Sequence, residues 1–555
     1  MGEKCQVLKA TLLTRATKQR NKVLLWAELQ GDLSIFFMKI QLHAARLLLF
    51  GALWIAFQPA VAQTGQQTAP PPSSAGQATP EPEHKITPAE AKELFQSIDE
   101  ILHFASTDTL LPIKHPVKKA MIDRAHVEKY IEDKFQDDVD RMRFERSELV
   151  LKKLGLLPRT FDLHSFLVKL LGEQVAGYYD EKTQTINLLD WVDMENQKPV
   201  MAHELTHALQ DQSFNLGKMM KQDEEIEKRG PSDPNAQIRN DEESTCRSAV
   251  LEGQAMIVLL DYILAPMGGS VEKAPGIVDR MRDRMSDHDE SAVFSSAPLL
   301  LREELVFPYN QGMKFIAELI AHGGKKEAFT GVLERMPLTT REIMEPQEYL
   351  AGHHIAPLLL PDLAFLKKDY EAFDAGAMGE FDVEILLKQY SGDEIADHLA
   401  PEWRGGAYYA AGRKGAKPAD HNSTGHIGLL YVSKWSSGKA AEEFATAYAA
   451  ALPKRYSKLE QAQAQSEAGS GAVEGKPERE QPEPGQADKD AAAGKTRYSS
   501  SDGPIFIQRQ GNVVVVVESF EEPMANRLIE ASLKGVEAQS QGQTKAQLGS
   551  GSTNP

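Results

Sequence analysis

Only two cysteines, Cys5 and Cys246, occur in the 555 residues, so the chain has no disulfide framework and no CxxC pair to compete for a metal. Basic excess is also missing: 62 Lys and Arg stand against 80 Asp and Glu, a formal charge of −18. That balance argues against a nucleic-acid partner, which asks for a basic face. The apolar run near the N-terminus, Leu47 to Phe57, is short for a membrane span and is broken by Gln58 and Pro59. No stable membrane span is therefore expected after processing. What is present, 41% hydrophobic and 26% charged residues, describes a globular protein of two or three domains.

Residues 1–62 form a targeting region. Met38-Lys39, His43 and Arg46 make a short basic start, Leu47 to Phe57 is the apolar core, and Ala60-Val61-Ala62 before Gln63 is a small-residue cleavage site. Met38 is the better start, and residues 1–37 precede it. Export to the periplasm or the exterior is the expectation. A Pro-, Ser-, Thr- and Gln-rich linker follows over 63–86, and order begins at Thr87-Pro88, an N-cap followed by Pro at the first helical position.

The most informative stretch is His203-Glu204-Leu205-Thr206-His207. On a helix, positions i and i+4 lie about 40° apart, so both imidazoles can grip one tetrahedral ion. Glu204 points about 100° away from His203, towards the open position of the metal. There it can take a proton from a water that the ion has acidified. Pro199 suits the first turn of this helix, and Val200, Met201, Leu205, Ala208 and Leu209 give it buried flanks. Before it, Asp180 to Thr183 is a turn between two short strands, the second being Thr185 to Leu189. An edge strand that accepts an extended peptide and an ordinary supporting hairpin are both open. After it, the acidic, proline-containing stretch from Gly217 to Asp241 is expected to be a surface loop.

A catalytic zinc needs a third protein ligand. Ser244 to Leu264 is proline-free and apolar nearly all round, hence a buried helix. Glu252 sits in its middle, where an ionised carboxylate is expensive unless paired or bound to metal, and Gly253 beside it allows close approach. Glu242 and Glu243 compete, but fall at the expected polar start of the helix, where acids suit the dipole. A buried salt bridge from Glu252 to Arg247 or Arg239 is the competing structural reading. Asp211, four residues after His207, lies on the ligand face and either orients a ligand ring or is a plain surface acid.

The run His203 to Asp211, followed 45 residues after His207 by Glu252-Gly253-Gln254-Ala255, resembles the gluzincin metallopeptidases, the thermolysin-like clan, and within it an uncharacterised bacterial exported group. Glu173 to Asp180, Phe307 to Gly312 and Thr340 to Tyr349 are similar to further motifs of that group. The resemblance implies Zn2+ held by His203, His207 and Glu252, with Glu204 as general base. Two departures stand out: Met256 replaces the acid expected four residues after the ligand Glu, and Glu345 stands where the group has a histidine. Tyr309, in its Pro-Tyr context, is the first candidate to stabilise the transition state, with Tyr178 and Tyr179 behind it.

Further on, Asp382 to Gln389 reads as a helix, Ile427 to Val432 as a strand and Gly438 to Leu452 as a helix. Gln461 to Lys495 is a low-complexity insertion. A hairpin around Gln510-Gly511 ends in a run of five valines, and Pro523 to Leu533 is a last helix. The expectation is an α+β protein. A helical part (87–160) precedes a mainly helical, gluzincin-like zinc metallopeptidase domain with a small sheet (161–360). A small α+β domain (361–535) with a disordered insertion (461–495) follows, then a disordered tail (536–555). The expected partner is a peptide or protein substrate. Two rivals differ in class: a catalytically silent zinc-containing scaffold, and a zinc hydrolase of a non-peptide bond.

Overall fold

The structure is a computed structural model that describes residues 85–127, 129, 138–173, 177–285, 292–416, 423–461 and 494–550. The predicted targeting region, most of the linker and most of the insertion lie outside the described residues. The fold is α+β: a helical assembly that carries a small three-stranded sheet, followed by a seven-stranded sheet with helices on both faces.

Helix α1 (Pro88–Thr109) starts at a capping box in which Thr87 and Glu90 satisfy each other's backbone N–H groups. Strand β1 (Lys118–Ile122) pairs in parallel with β3. Helices α2 (Asp138–Leu154) and α3 (Leu163–Glu173) lead to β2 (Tyr178–Asp180), which runs antiparallel to β3 (Thr185–Leu189). The order β1-β3-β2 leaves β2 at an edge.

Helix α4 (Met194–Phe214) is capped by Asp193. Pro199 was expected in the first turn but lies inside the helix. The extra turn holds because the Gln197 amide ties it to the carbonyls of Leu189 and Val192 at the end of β3. Asn215 ends α4 in the left-handed conformation, and its side chain caps α5 (Leu216–Arg229) by accepting from Lys218 N. The stretch predicted as a surface loop is thus largely helical. Its Leu216 and Met220 are buried, and so are Asp223 and Glu227, which meet Arg247 and Asn240. Asp233 and Pro234 then open α6 (Pro234–Leu264), ten residues earlier than expected. Glu242 and Glu243 are consequently in its interior rather than at a polar start. This helix is long and apolar enough to cross a membrane, but 78% of its most apolar window is buried inside the fold, as befits a core helix.

Helix α7 (Leu299–Lys326) crosses α6 at an unusually close point. A Cβ on Gly312 would lie 2.0 Å from the Ala249 carbonyl oxygen, and one on Gly253 would lie 2.3 Å from Gly312 backbone. A short helix, α8 (Thr340–Met344), then leads to the sheet.

The large sheet has the order β4-β5-β6-β10-β9-β8-β7. Its strands are β4 (Tyr370–Ala377), β5 (Trp403–Arg413), β6 (Ile427–Trp435), β7 (Leu459–Gln461), β8 (Lys495–Ser500), β9 (Gly503–Gln510) and β10 (Val513–Glu518). Helices α9 (Glu380–Ser391), α10 (Gly438–Arg455) and α11 (Glu522–Ser550) complete it. The five valines of β10 divide between two cores. Val514 and Val516 join the core shared with the helical assembly, whereas Val513, Val515 and Val517 join a second core under α11. Burial on both faces explains why this strand shows no polar alternation. Helix α11 runs on to Ser550, through most of the predicted disordered tail.

Candidate metal centre

Three side chains from two helices converge between α4 and α6. His203 Nε2, His207 Nε2 and Glu252 Oε2 stand 3.1, 3.1 and 3.3 Å apart, and these ligand atoms form the metal-capable cluster among the described residues. In a tetrahedral site with bonds of about 2.0–2.1 Å, neighbouring donor atoms lie roughly 3.3 Å apart. The triangle therefore has the dimensions of one face of such a site. His207 and Glu252 are fully buried and His203 is 1% exposed, so a cation here would exchange water for a closed donor set. Of the two arginines that could have paired with Glu252 instead, Arg247 pairs with Asp223.

The protonation of His207 follows from a chain of amides. Gln254 Nε2 donates to the carbonyls of Ala328 (2.7 Å) and Phe329 (3.3 Å), so its Oε1 must face Gln210. Gln210 Nε2 donates to that oxygen at 2.7 Å and to Leu251 O at 3.1 Å. Gln210 Oε1 is then left to accept from His207 Nδ1 at 2.8 Å. The imidazole proton sits on Nδ1, and the Nε2 lone pair is aimed into the triangle. Electron-rich atoms this close repel unless a cation or protons lie among them. The donor set thus fits a divalent ion. The anchor of the amide chain is a π-helical turn, Glu327–Gly331, which turns Ala328 and Phe329 carbonyls towards Gln254.

Asp211, a candidate for orienting a ligand ring, does something else. It accepts from the Tyr179 hydroxyl at 3.0 Å and fastens β2 to α4. Gln210 orients the ring instead. It went unremarked in the sequence because an uncharged amide one residue before the acid shows no spacing signal of its own.

Glu204 lies outside the triangle and is fully buried. Its Oε2 accepts from Tyr179 N at 2.7 Å, while Oε1 has no hydrogen-bond partner among the described residues. Tyr309 is buried on α7, and its ring stacks against His203 with centroids 6.2 Å apart and planes at 22°. Tyr179 contributes its backbone to the site and its hydroxyl to Asp211, and Tyr178 precedes it on the edge strand. Pro308 and Gly312 on the Phe307 to Gly312 stretch serve the helix that carries Tyr309. The Thr340 to Tyr349 stretch is tied to helices α6 and α9. Thr340 N donates to Glu242 Oε2 at 2.6 Å, and Arg341 Nη1 donates to Glu380 Oε2 at 2.8 Å. His353 and His354 lie outside the centre and meet Glu348 and Glu342.

A separate cavity of about 230 Å3 lies between α6, β4 and α9 and contains none of the triad. Burial pushes the carboxyls of Glu242 and Glu304 up to about 8 and that of Asp241 up to about 7, while Asp382 is raised to about 6.

Comparison with protein families and with curated proteins gives no match. Among solved structures, the chain is similar to a protein from Chloroflexus aurantiacus described, provisionally, as a hydrolase with a novel fold. The identity is 12%, the match covers 56% of this chain and 97% of that one, and the TM-score is 0.29. At that level of likeness nothing transfers, and the centre has to speak for itself.

Proposed function

We propose that this chain is an exported zinc-dependent endopeptidase of gluzincin type, with His203, His207 and Glu252 as metal ligands and Glu204 as general base. The observation that carries the reading is the state of Glu204. A carboxylate that is fully buried beside a metal triad, with one oxygen fixed by Tyr179 N–H and the other unpaired, is costly to keep. A metal that only held helices together would have no use for it.

A Zn2+ held by His203, His207 and Glu252 would supply Lewis acidity and lower the pKa of a water molecule towards neutrality. Glu204 Oε1 is placed to take a proton, and the Tyr179 N–H keeps the carboxylate from rotating away. Gln210 holds His207 in the tautomer that offers Nε2. Tyr309, stacked on His203, is the donor assigned to the developing oxyanion. Strand β2 lies at an edge of its sheet among the described residues, and an extended peptide adding along it would run past the base. Export rests on the basic start, apolar core and small-residue site of residues 38–62.

One observation favours a second reading. All four of these polar side chains are at most 1% exposed, which also suits a silent scaffold with a structural ion. Zinc content and cleavage of a broad peptide library separate the readings for wild type, Glu204→Gln and Glu252→Ala. Glu204→Gln should keep its zinc and lose about 100-fold or more in turnover; Glu252→Ala should lose zinc. Wild-type turnover in Glu204→Gln removes the base assignment, and full zinc in Glu252→Ala removes the third ligand. A wild type that holds zinc yet cleaves no peptide leaves the scaffold, or a non-peptide hydrolase if it turns over esters.

A further inference from the structure

The second sheet core borders a cavity whose charge is opposite to that of the rest of the chain. It has a volume of about 610 Å3, lies between the β5–β6 end of the large sheet and helix α11, and contains no residue of the metal centre. That volume is in the range of small-ligand sites. Two cations line it, Arg404 and Lys434, in a protein with a formal charge of −18.

Backbone geometry puts them together. On β5 and β6, Trp403 pairs with Trp435 and Gly405 pairs with Lys434. The register shift between those pairs makes Arg404 the extra residue of a β-bulge, a device that re-aims a side chain and recurs next to binding sites. Arg404 Nη1 donates to the carbonyls of Pro401 (2.8 Å) and Trp403 (2.6 Å), and Lys434 Nζ donates to Ser540 Oγ at 3.0 Å. Among the described residues neither forms a salt bridge. Glu402, Glu380 and Glu348 act on Arg404 only from a distance, against Arg341, and burial holds Lys434 below the ordinary lysine range. Partly buried cations are normally paired, and here the carboxylate that would pair them is missing.

The walls complete the description. Ile355, Leu358 and Val536 are apolar, and Asn512 and Ser436 stand at the polar end with the two cations. Asn512 is held there by its bond to the Trp435 carbonyl at 2.7 Å. Glu402, beside the bulge, accepts from the Ser436 hydroxyl.

We propose that this cavity binds a small amphiphilic oxyanion, its head on Arg404 and Lys434 and its hydrocarbon or aromatic body against Ile355, Leu358 and Val536. The site stands apart from the metal centre and does not depend on its being a peptidase.

Calorimetric titration of the full chain tests this with octanoate as the amphiphilic probe, 1-octanol as the body alone and inorganic phosphate as the head alone. Octanoate should bind saturably, at least 10-fold more tightly than either fragment, and more weakly as salt rises. Lys434→Met should weaken octanoate at least 10-fold with an unchanged thermal midpoint. Arg404→Gln is the second variant, read only if it folds, because Arg404 also supports the bulge. Octanol binding as tightly as octanoate overturns the oxyanion head. Phosphate binding as tightly overturns the apolar body. Unchanged octanoate affinity in Lys434→Met, or no saturable octanoate binding, overturns the site.

Discussion

At the scale of single residues, the centre separates chemistry that is local in sequence from chemistry that is not. His203, Glu204 and His207 were legible because their spacing alone puts them on one helix with defined directions. Glu252 was legible for another local reason, an acid in the middle of an apolar stretch of helix. Gln210 was not, since its work depends on Gln254 from a second helix and on carbonyls from a third segment. This assigns different roles to adjacent side chains. Gln210→Leu should weaken zinc affinity by about 10- to 100-fold, the usual cost of losing a partner that orients a ligand ring. Asp211→Asn, which touches Tyr179 instead, should leave that affinity unchanged. Competition with a chelator of known strength measures both.

At the scale of elements, the decisive contact is the crossing of α6 and α7. Glycine in a helix ordinarily costs about 1 kcal/mol relative to alanine, so Gly312→Ala would stabilise an isolated α7. Here the added methyl would meet the Ala249 carbonyl oxygen at 2.0 Å, a backbone atom that cannot rotate out of the way. Overpacking wins, and the variant should lose about 1–3 kcal/mol in urea denaturation. Zinc affinity should fall with it, since Glu252 and the Tyr309 helix are pushed apart. The closeness of Gly253 was readable; its partner on α7 was not. Other elements were hidden by composition. In α5 the acidic run at 223–227 masked the apolar period, because two of those acids are buried against Arg247 and Asn240. In β5 the sequence Gly405-Gly406-Ala407 carries little strand propensity. Close neighbours demand it: a Cβ on Gly406 would sit 2.3 Å from the Met378 carbonyl oxygen.

At the scale of the whole molecule, the helical assembly and one face of the large sheet share a single core, and the carboxyls of Asp241, Glu242 and Glu304 line the cavity at that junction. Their pKa values are raised by burial to about 7, 8 and 8. The folded chain therefore holds protons that the unfolded chain releases between about pH 4 and pH 8. Stability from these groups is fully present below that window and is lost as the pH rises through it. Chemical denaturation should show wild type weakening from pH 5.5 to 8.5. Glu304→Gln, which cannot ionise, should flatten that slope by an amount on the order of 1 kcal/mol. The α+β architecture was foreseeable from the separate helical and strand patterns. The shared core was not, because contacts such as Ala377 N donating to Asp241 join positions 136 residues apart.

The near-complete burial of the triad has a consequence for metal choice. Its ligands come from α4 and α6, and Tyr309 of α7 stacks on His203, so any ion held there gives up most of its water for protein donors. Affinity ranks copper above zinc at nitrogen and oxygen sites. The metal found in the purified protein should therefore follow which ions are available where the chain folds.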